Sequence, residues 1–109
     1  MAYDHDLAER VRGELASHPA VTERDMFGGI AFLIAGNMAV GVTGDELMVR
    51  VGKDAHVDTV SLPGARPFDM GARPMVGWLV VGEEGFATEA EFRAWVERGV
   101  RHAESLPPK

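Results

Sequence analysis

The 109-residue chain is 46% hydrophobic and 26% charged, which is the composition of a single folded domain spanning residues 1–109 rather than of a disordered segment. It contains no cysteine, so disulfides and thiolate zinc sites are excluded. The net charge is −6, and the 11 Lys and Arg residues are scattered, so tight direct binding to duplex DNA is disfavoured.

The first predicted element is an amphipathic helix over residues 4–18. Leu7, Val11 and Leu15 recur at every fourth position and form an apolar stripe along one side. Pro19 restricts the backbone before it, so the helix must end shortly before that residue. The pattern is that of a surface helix packed on a core.

Four strand candidates follow in close succession, separated by turn signals. Gly36-Asn37 and Gly44-Asp45 are typical of tight hairpin turns, which make the neighbouring strands antiparallel. The second candidate is unbroken apolar sequence, which indicates a strand buried on both faces. Together they predict an antiparallel meander. The candidates are residues 21–26, 30–35, 38–42 and 47–51.

A weaker helix is predicted over residues 53–61. Val57 and Val60 are its only strong apolar anchors, so the pattern fixes its orientation poorly. A Leu-Pro-Gly sequence then ends it, because proline cannot continue a helix and glycine favours a turn.

The next segment, residues 63–74, contains three of the six prolines and two glycines. This composition predicts a loop, with a short strand at residues 68–70 as the alternative. Residues 76–81 follow as a strand rich in β-branched residues, and this strand carries Trp78.

The last helix has the clearest pattern. Thr88 and Glu91 have the spacing of a capping box, and an apolar stripe follows at helical spacing. The whole order, α-β(3–4)-α-β(1–2)-α, predicts a two-layer α+β fold in which an antiparallel meander sheet carries helices on one face. The stripe consists of Phe92, Trp95, Val96, Gly99, Val100 and Ala103.

No catalytic motif is present in the sequence. Gly52-Lys53 lacks the upstream glycine of a phosphate loop, and no serine lies in a nucleophile elbow. Asp4-His5-Asp6 and His56-x-Asp58 are the only local clusters with metal-ligand chemistry, and adjacent side chains rarely chelate together. We therefore expect no catalytic residue, no metal site and no cofactor.

The sheet region is rich in methionine, which either fills irregular gaps in a core or forms an adaptable binding surface. Strands 30–35 and 38–42 offer apolar residues to both sheet faces, while the helices cover one face. We therefore expect a symmetric homodimer that buries the second face. The alternative is a monomer in which the loop at 63–74 folds over that face.

Four segments occur together and in order: Met-Phe-Gly-Gly at 26–29, Met-Ala-Val at 38–40, Leu-Met-Val-Arg-Val at 47–51 and Arg-Pro-Met-Val-Gly-Trp at 73–78. The combination resembles the N-terminal domain of the TfoX/Sxy family, over about residues 10–105. The resemblance implies an α+β domain grouped with secretion-chaperone-like folds. Its best-known members regulate natural competence together with the cyclic-AMP receptor protein. They also carry a C-terminal helical domain, so we expect the N-terminal domain standing alone here.

The resemblance implies a non-enzymatic regulatory domain that acts through protein–protein contacts, with the transcription machinery as the candidate partner. The alternative is a homodimeric module that binds a small ligand or a peptide. The N-terminus has no signal-peptide pattern and no apolar run approaches the ~20 residues that span a bilayer, so we expect a cytoplasmic protein without membrane contact. The candidate binding residues are Met26, Phe27, Gly28, Gly29, Arg50, Arg73, Pro74, Met75 and Trp78.

Overall fold

The computed structural model describes residues 3–26, 28–70 and 73–109, without the side chains of residues 69, 70, 73 and 74. Within these residues, six antiparallel strands form one sheet that three α-helices cover on one face, which confirms the predicted α+β class and element order. The elements are α1 (His5–Glu14), β1 (Val21–Met26), β2 (Gly29–Ile34), β3 (Asn37–Thr43), β4 (Glu46–Arg50), α2 (Lys53–Val60), β5 (Ala65–Met70), β6 (Arg73–Val81), a 3-10 turn (Glu83–Gly85) and α3 (Glu89–Glu104).

The strand order across the sheet is β1-β2-β3-β4-β6-β5, so the predicted meander of the first four strands is followed by a hairpin that joins in reverse order. The predicted loop at 63–74 is wrong, because residues 65–70 form β5 in full. β5 tolerates Pro67 because it is an edge strand, where a missing N–H breaks no ladder. Its pairing with β6 also shifts register just after Pro67.

The turn between β2 and β3 lies one residue earlier than predicted. Ile34 pairs with Asn37, which leaves Ala35 and Gly36 as a two-residue loop with φ values of 51° and 86°. Positive φ at both positions is the type I′ geometry that suits a right-handed strand twist. Asn37 is instead the first residue of β3, where its buried Nδ2 donates a hydrogen bond to the Pro107 carbonyl at 2.9 Å.

The main core lies between the sheet and the helices. The capping box of α3 is present, and the predicted stripe packs inward, with Phe92, Trp95 and Ala103 each at most 2% exposed. Trp95 Nε1 donates to the Gly85 carbonyl at 3.0 Å, so the buried indole has a partner. With 16 residues, α3 is the longest helix of the described chain, and no helix there is long and apolar enough to cross a membrane.

The predicted orientation of α2 is wrong at one of its two anchors. Val57 is 76% exposed, while Thr59 is buried and Val60 packs on the main core. The helix has only eight residues, and its orientation follows from its packing on β6 rather than from its apolar pattern. A short helix with little amphipathic pattern leaves that choice to tertiary contacts.

The second sheet face holds a smaller cluster of four residues, each at most 5% exposed: Ala31, Leu33, Met38 and Met48. Three partly buried side chains of the same sheet pack against this cluster, namely Met26 from β1, Phe68 from β5 and Trp78 from β6. The bare apolar face on which the expected homodimer depended is therefore not found at these residues. The dimer itself stays a prediction.

Candidate binding site

Two glycines with left-handed backbone conformations lie against each other where β4 ends. Gly52 (φ 89°) connects β4 to α2, and Gly77 (φ 91°) lies within β6. The Gly77 carbonyl accepts hydrogen bonds from the backbone N–H groups of Val51 at 2.8 Å and Gly52 at 3.1 Å. A Cβ at Gly77 would lie 2.8 Å from the Gly52 carbonyl carbon, so this backbone crossing requires glycine.

Two histidines pack on this crossing from different helices. His56 Nδ1, on α2, accepts a hydrogen bond from the Gly77 N–H at 2.9 Å. His102, on α3, has its ring where a Cβ on Gly52 would lie, 2.6 Å from Nδ1. Glycine at position 52 therefore leaves room for His102, while His56 holds β6 against α2.

The environment of His102 lowers its pKa below the ordinary value of 6.5. Burial is the largest cause, the charge of Arg50 lowers the pKa further, and the charge of Asp54 acts in the opposite direction. His102 is therefore a neutral imidazole at pH 7, which can both donate and accept a hydrogen bond.

Arg50 and Trp78 face each other as a cross-strand pair of β4 and β6. The guanidinium carbon lies 5.1 Å from the centroid of the Trp78 ring, within the range of a cation–π contact. Arg12 and Arg66 pair with carboxylates at 2.7 Å, but no carboxylate in the described part of the chain lies within 4 Å of Arg50. The charge of Arg50 therefore stays uncompensated by an ion pair at these residues.

These groups surround a hollow of about 510 Å³, a size within the range of about 300–1,000 Å³ that is usual for small-molecule sites. Its floor is the crossing of Gly52 and Gly77, and its walls come from β4, β6, the first turn of α2 and the end of α3. We name it the Arg50 cavity. It is lined chiefly by Arg50, Lys53, Val76, Trp78, His102 and Leu106.

A second hollow of about 440 Å³ adjoins the first and shares His102 and Ser105 with it. Four cationic side chains and two carboxylates line the two hollows together, although the chain as a whole has a net charge of −6. This end of the molecule is therefore locally cationic. The cations are Arg50, Lys53, Arg98 and Arg101, and the carboxylates are Asp54 and Asp58.

The structure brings together two of the residues singled out in the sequence, Arg50 and Trp78, at the Arg50 cavity. Met26 lies apart from the cavity and packs, like Trp78, against the second cluster. Met75 is half-buried in β6.

The two glycines of the Met-Phe-Gly-Gly segment serve the connection from β1 to β2. Gly28 has a φ of 74°, and Gly29 starts β2 so close to the Val42 carbonyl that a Cβ there would clash. Gly28 thus has the left-handed backbone that favours glycine, while Gly29 allows a close approach of two backbones. Phe27 lies outside the described residues, as do the side chains of Arg73 and Pro74.

The two local clusters with ligand chemistry make structural hydrogen bonds instead. Asp4 caps α1 by accepting from the N–H groups of Asp6 at 2.9 Å and Leu7 at 3.2 Å. His56 is bonded to β6 as described above. Across residues 3–26, 28–70 and 73–109, no three His, Asp or Glu side chains are grouped to hold a metal ion.

Sequence reasoning missed three lining residues, Gly52, Lys53 and His102. Gly52-Lys53 drew attention only as a fragment of a phosphate loop, although a glycine between a strand and a helix is also a signal for a helix start. His102 lies on the predicted apolar side of α3, next to Ala103. Its contact with Gly52 depends on how α3 packs, which no local pattern shows.

The model of the TfoX N-terminal domain family matches residues 14–103. No curated protein and no solved structure gives a significant match. The family match covers most of the chain and includes Arg50, Gly52, Gly77, Trp78 and His102 of the cavity. It agrees with the resemblance drawn from the four sequence segments. The chain therefore belongs to the TfoX N-terminal domain family.

Proposed function

We propose that this domain is a non-enzymatic, cytoplasmic regulatory domain that works by binding a protein, with a component of the transcription machinery as the candidate partner. Membership of the TfoX N-terminal domain family supports the regulatory role. The partner surface in this proposal is the rim of the Arg50 cavity, formed by α2 and β6.

The observation that carries the proposal is the position of two exposed valines. Among the described side chains, the large hydrophobic ones that are exposed are Val57 at 76% and Val76 at 52%. They are the chain neighbours of His56 and Gly77, whose hydrogen bond joins α2 to β6. The bond therefore joins the two elements that carry these valines, and Val76 also lines the Arg50 cavity.

The residues beside these valines have the composition of an interaction surface. Arg50 and Trp78 belong to the residue types that contribute most to binding energy in protein interfaces. Val76 lines the same cavity as both of them, so apolar, aromatic and cationic groups adjoin one another. A protein partner with an apolar centre and acidic side chains around it fits this surface.

The experiment compares partners captured from the native cell by tagged wild-type protein and by a Val57→Glu, Val76→Glu double variant. Both valines are exposed, so the charges should leave the fold intact, as a melting curve would check. The matched control is Thr22→Glu, an exposed position on β1 at the opposite edge of the sheet. We expect the double variant to lose a protein that wild type and control both retain; equal capture by all three would contradict the proposal.

A further inference from the structure

We infer that the Arg50 cavity binds a small organic anion, a molecule in which a carboxylate or phosphate group is attached to a planar or apolar body. This inference goes beyond the proposed protein partner, because it concerns the cavity rather than its rim. A ligand of this kind would act as an effector of the domain. The cavity's two walls, one cationic and one apolar, carry the argument.

The cationic wall consists of Arg50 and Lys53. Within the described residues neither side chain has a carboxylate within 4 Å, so both charges are available to a ligand. Asp54 is the single carboxylate on the lining, so it offsets one of the two charges. The remaining positive charge favours an anion over a cation or a neutral molecule.

Arg50 is also held in place for this task. Its cation–π contact with Trp78 restricts the side chain before any ligand arrives. A planar guanidinium offers paired N–H donors that match the two oxygens of a carboxylate or phosphate. The first turn of α2 adds to the field, since Gly52 at its start leaves no side chain to cap it.

The apolar wall consists of Trp78, Val76 and Leu106. Trp78 and Leu106 are half-buried and Val76 is 52% exposed, so each side chain still offers surface to a ligand. A volume of about 510 Å³ is much larger than a phosphate or carboxylate group alone. The ligand therefore needs a body that covers these side chains while its anionic group reaches Arg50.

The test is a titration of the purified, isotope-labelled protein followed by the NMR shifts of its backbone amides. The four probes are phenyl phosphate, benzoate, inorganic phosphate and phenol. We expect the two aromatic anions to shift the Gly52, Lys53, Gly77 and His102 amides in a saturable way. Inorganic phosphate should bind at least tenfold more weakly, and phenol should cause no saturable shift.

The matched variants are Arg50→Gln and Arg24→Gln, the second being an exposed arginine on β1. The first should weaken phenyl phosphate binding at least tenfold and the second should leave it unchanged. The inference would be overturned if phenol bound as tightly as phenyl phosphate. It would also be overturned if both variants bound phenyl phosphate with equal affinity. If Arg50→Gln fails to fold, Lys53→Gln replaces it, and the four probes on wild type decide by themselves.

The ring of His102 gives an independent readout. An anion beside Arg50 counteracts the charge that helps to lower the His102 pKa, so saturating phenyl phosphate should raise that pKa. The charges that act on the His102 pKa are those of Arg50 and Asp54. The other charged groups that line the two hollows beside the ring are Lys53, Asp58, Arg98 and Arg101. An unchanged titration curve at saturation would contradict binding in the cavity. No partner protein is present, so this result is independent of the capture experiment.

Discussion

The guanidinium of Arg50 lies over the indole of Trp78, 5.1 Å from its ring centroid, where β4 gives way to α2. The two residues come from two of the four sequence segments that together carry the family resemblance. Their contact links these segments in space, and both residues line the Arg50 cavity. Two segments that carry the family resemblance thus meet at a locally cationic hollow.

Replacing Arg50 with Gln should raise the pKa of His102. The charge of Arg50 is the second cause of the lowered pKa, after burial, and Gln removes that charge while keeping most of the volume. NMR titration of the imidazole signals measures the effect directly. Arg24→Gln on β1 is the control and should leave the His102 curve in place. A His102 pKa that is equal in wild type and Arg50→Gln would show that Arg50 does not act on this ring.

Replacing Gly77 with Ala should destabilise the fold by about 1–3 kcal/mol. Alanine would be strained at a φ of 91°, and its Cβ would press on the backbone of Gly52 and Lys53, which cannot move aside as a side chain can. Denaturant unfolding measures the change. The matched control is Gly13→Ala on α1, where a Cβ meets nothing within 4 Å. Alanine there should stabilise the helix by about 0.5–1 kcal/mol. If the two variants had equal stability, the close approach of the Gly52 and Gly77 backbones would be contradicted.

Replacing Trp95 with Ala should cost about 3–5 kcal/mol of unfolding free energy. The side chain is 2% exposed, packs in the main core and donates its N–H to the Gly85 carbonyl. The control is Glu97→Ala on the same helix, whose exposed partner Arg101 is 3.9 Å away and which should cost less than about 0.5 kcal/mol. If both variants unfold at the same denaturant concentration, Trp95 is not in the core.

The pair of Glu46 and Arg66 should contribute stability at neutral pH that disappears in acid. Two hydrogen bonds of 2.7 Å from Arg66 lower the pKa of Glu46 from its ordinary value of 4.5. The pKa of Glu46 is lower in the folded chain than in the unfolded chain. The ion pair therefore contributes its full stability above about pH 5, and this contribution is lost as the pH falls through the pKa of the folded state. Glu46→Gln should therefore be less stable than wild type at pH 7 and equally stable near pH 2. A stability difference that is the same at both pH values would contradict the ion pair.

The last helix and the meander were predictable because their signals are local. Thr88 and Glu91 form the capping box, and the apolar stripe that follows them places Trp95 in the core without reference to any distant residue. The hairpin turns likewise depend on short-range glycine signals. The turn at Ala35 and Gly36 was misplaced by one residue, because Asn37, a frequent turn residue, here bonds to the distant Pro107.

The Arg50 cavity could not be predicted, because it depends on contacts between distant segments. Gly52 and Gly77 are 25 positions apart, and His102 is farther still along the chain. The orientation of α2 could not be predicted for the same reason. It involves the hydrogen bond from the Gly77 N–H to His56, a residue distant in sequence, and it leaves Val57 exposed. The proline-rich composition of residues 63–74 concealed β5, because only the place of this strand at the sheet edge makes Pro67 acceptable within it.

The second sheet face bears on the state of assembly. Met48 is fully buried there and Leu33 is 5% exposed, so a partner subunit has little apolar surface to cover at these positions. Light scattering during size exclusion, at micromolar concentration, tests the homodimer expected from the sequence, and a mass of one chain would contradict it. A mass of two chains would support the homodimer expected from the sequence and would require a different interface from the one first considered.

The central claim, that α2 and β6 form the partner surface at the Arg50 cavity, is tested most directly by crosslinking in the native cell. A photoreactive benzophenone side chain is placed at position 76 on the cavity rim, or at position 22 on β1 as the control. We predict one protein that is crosslinked from position 76 and not from position 22. Crosslinks to the same proteins from both positions, or from position 22 alone, would contradict the claim.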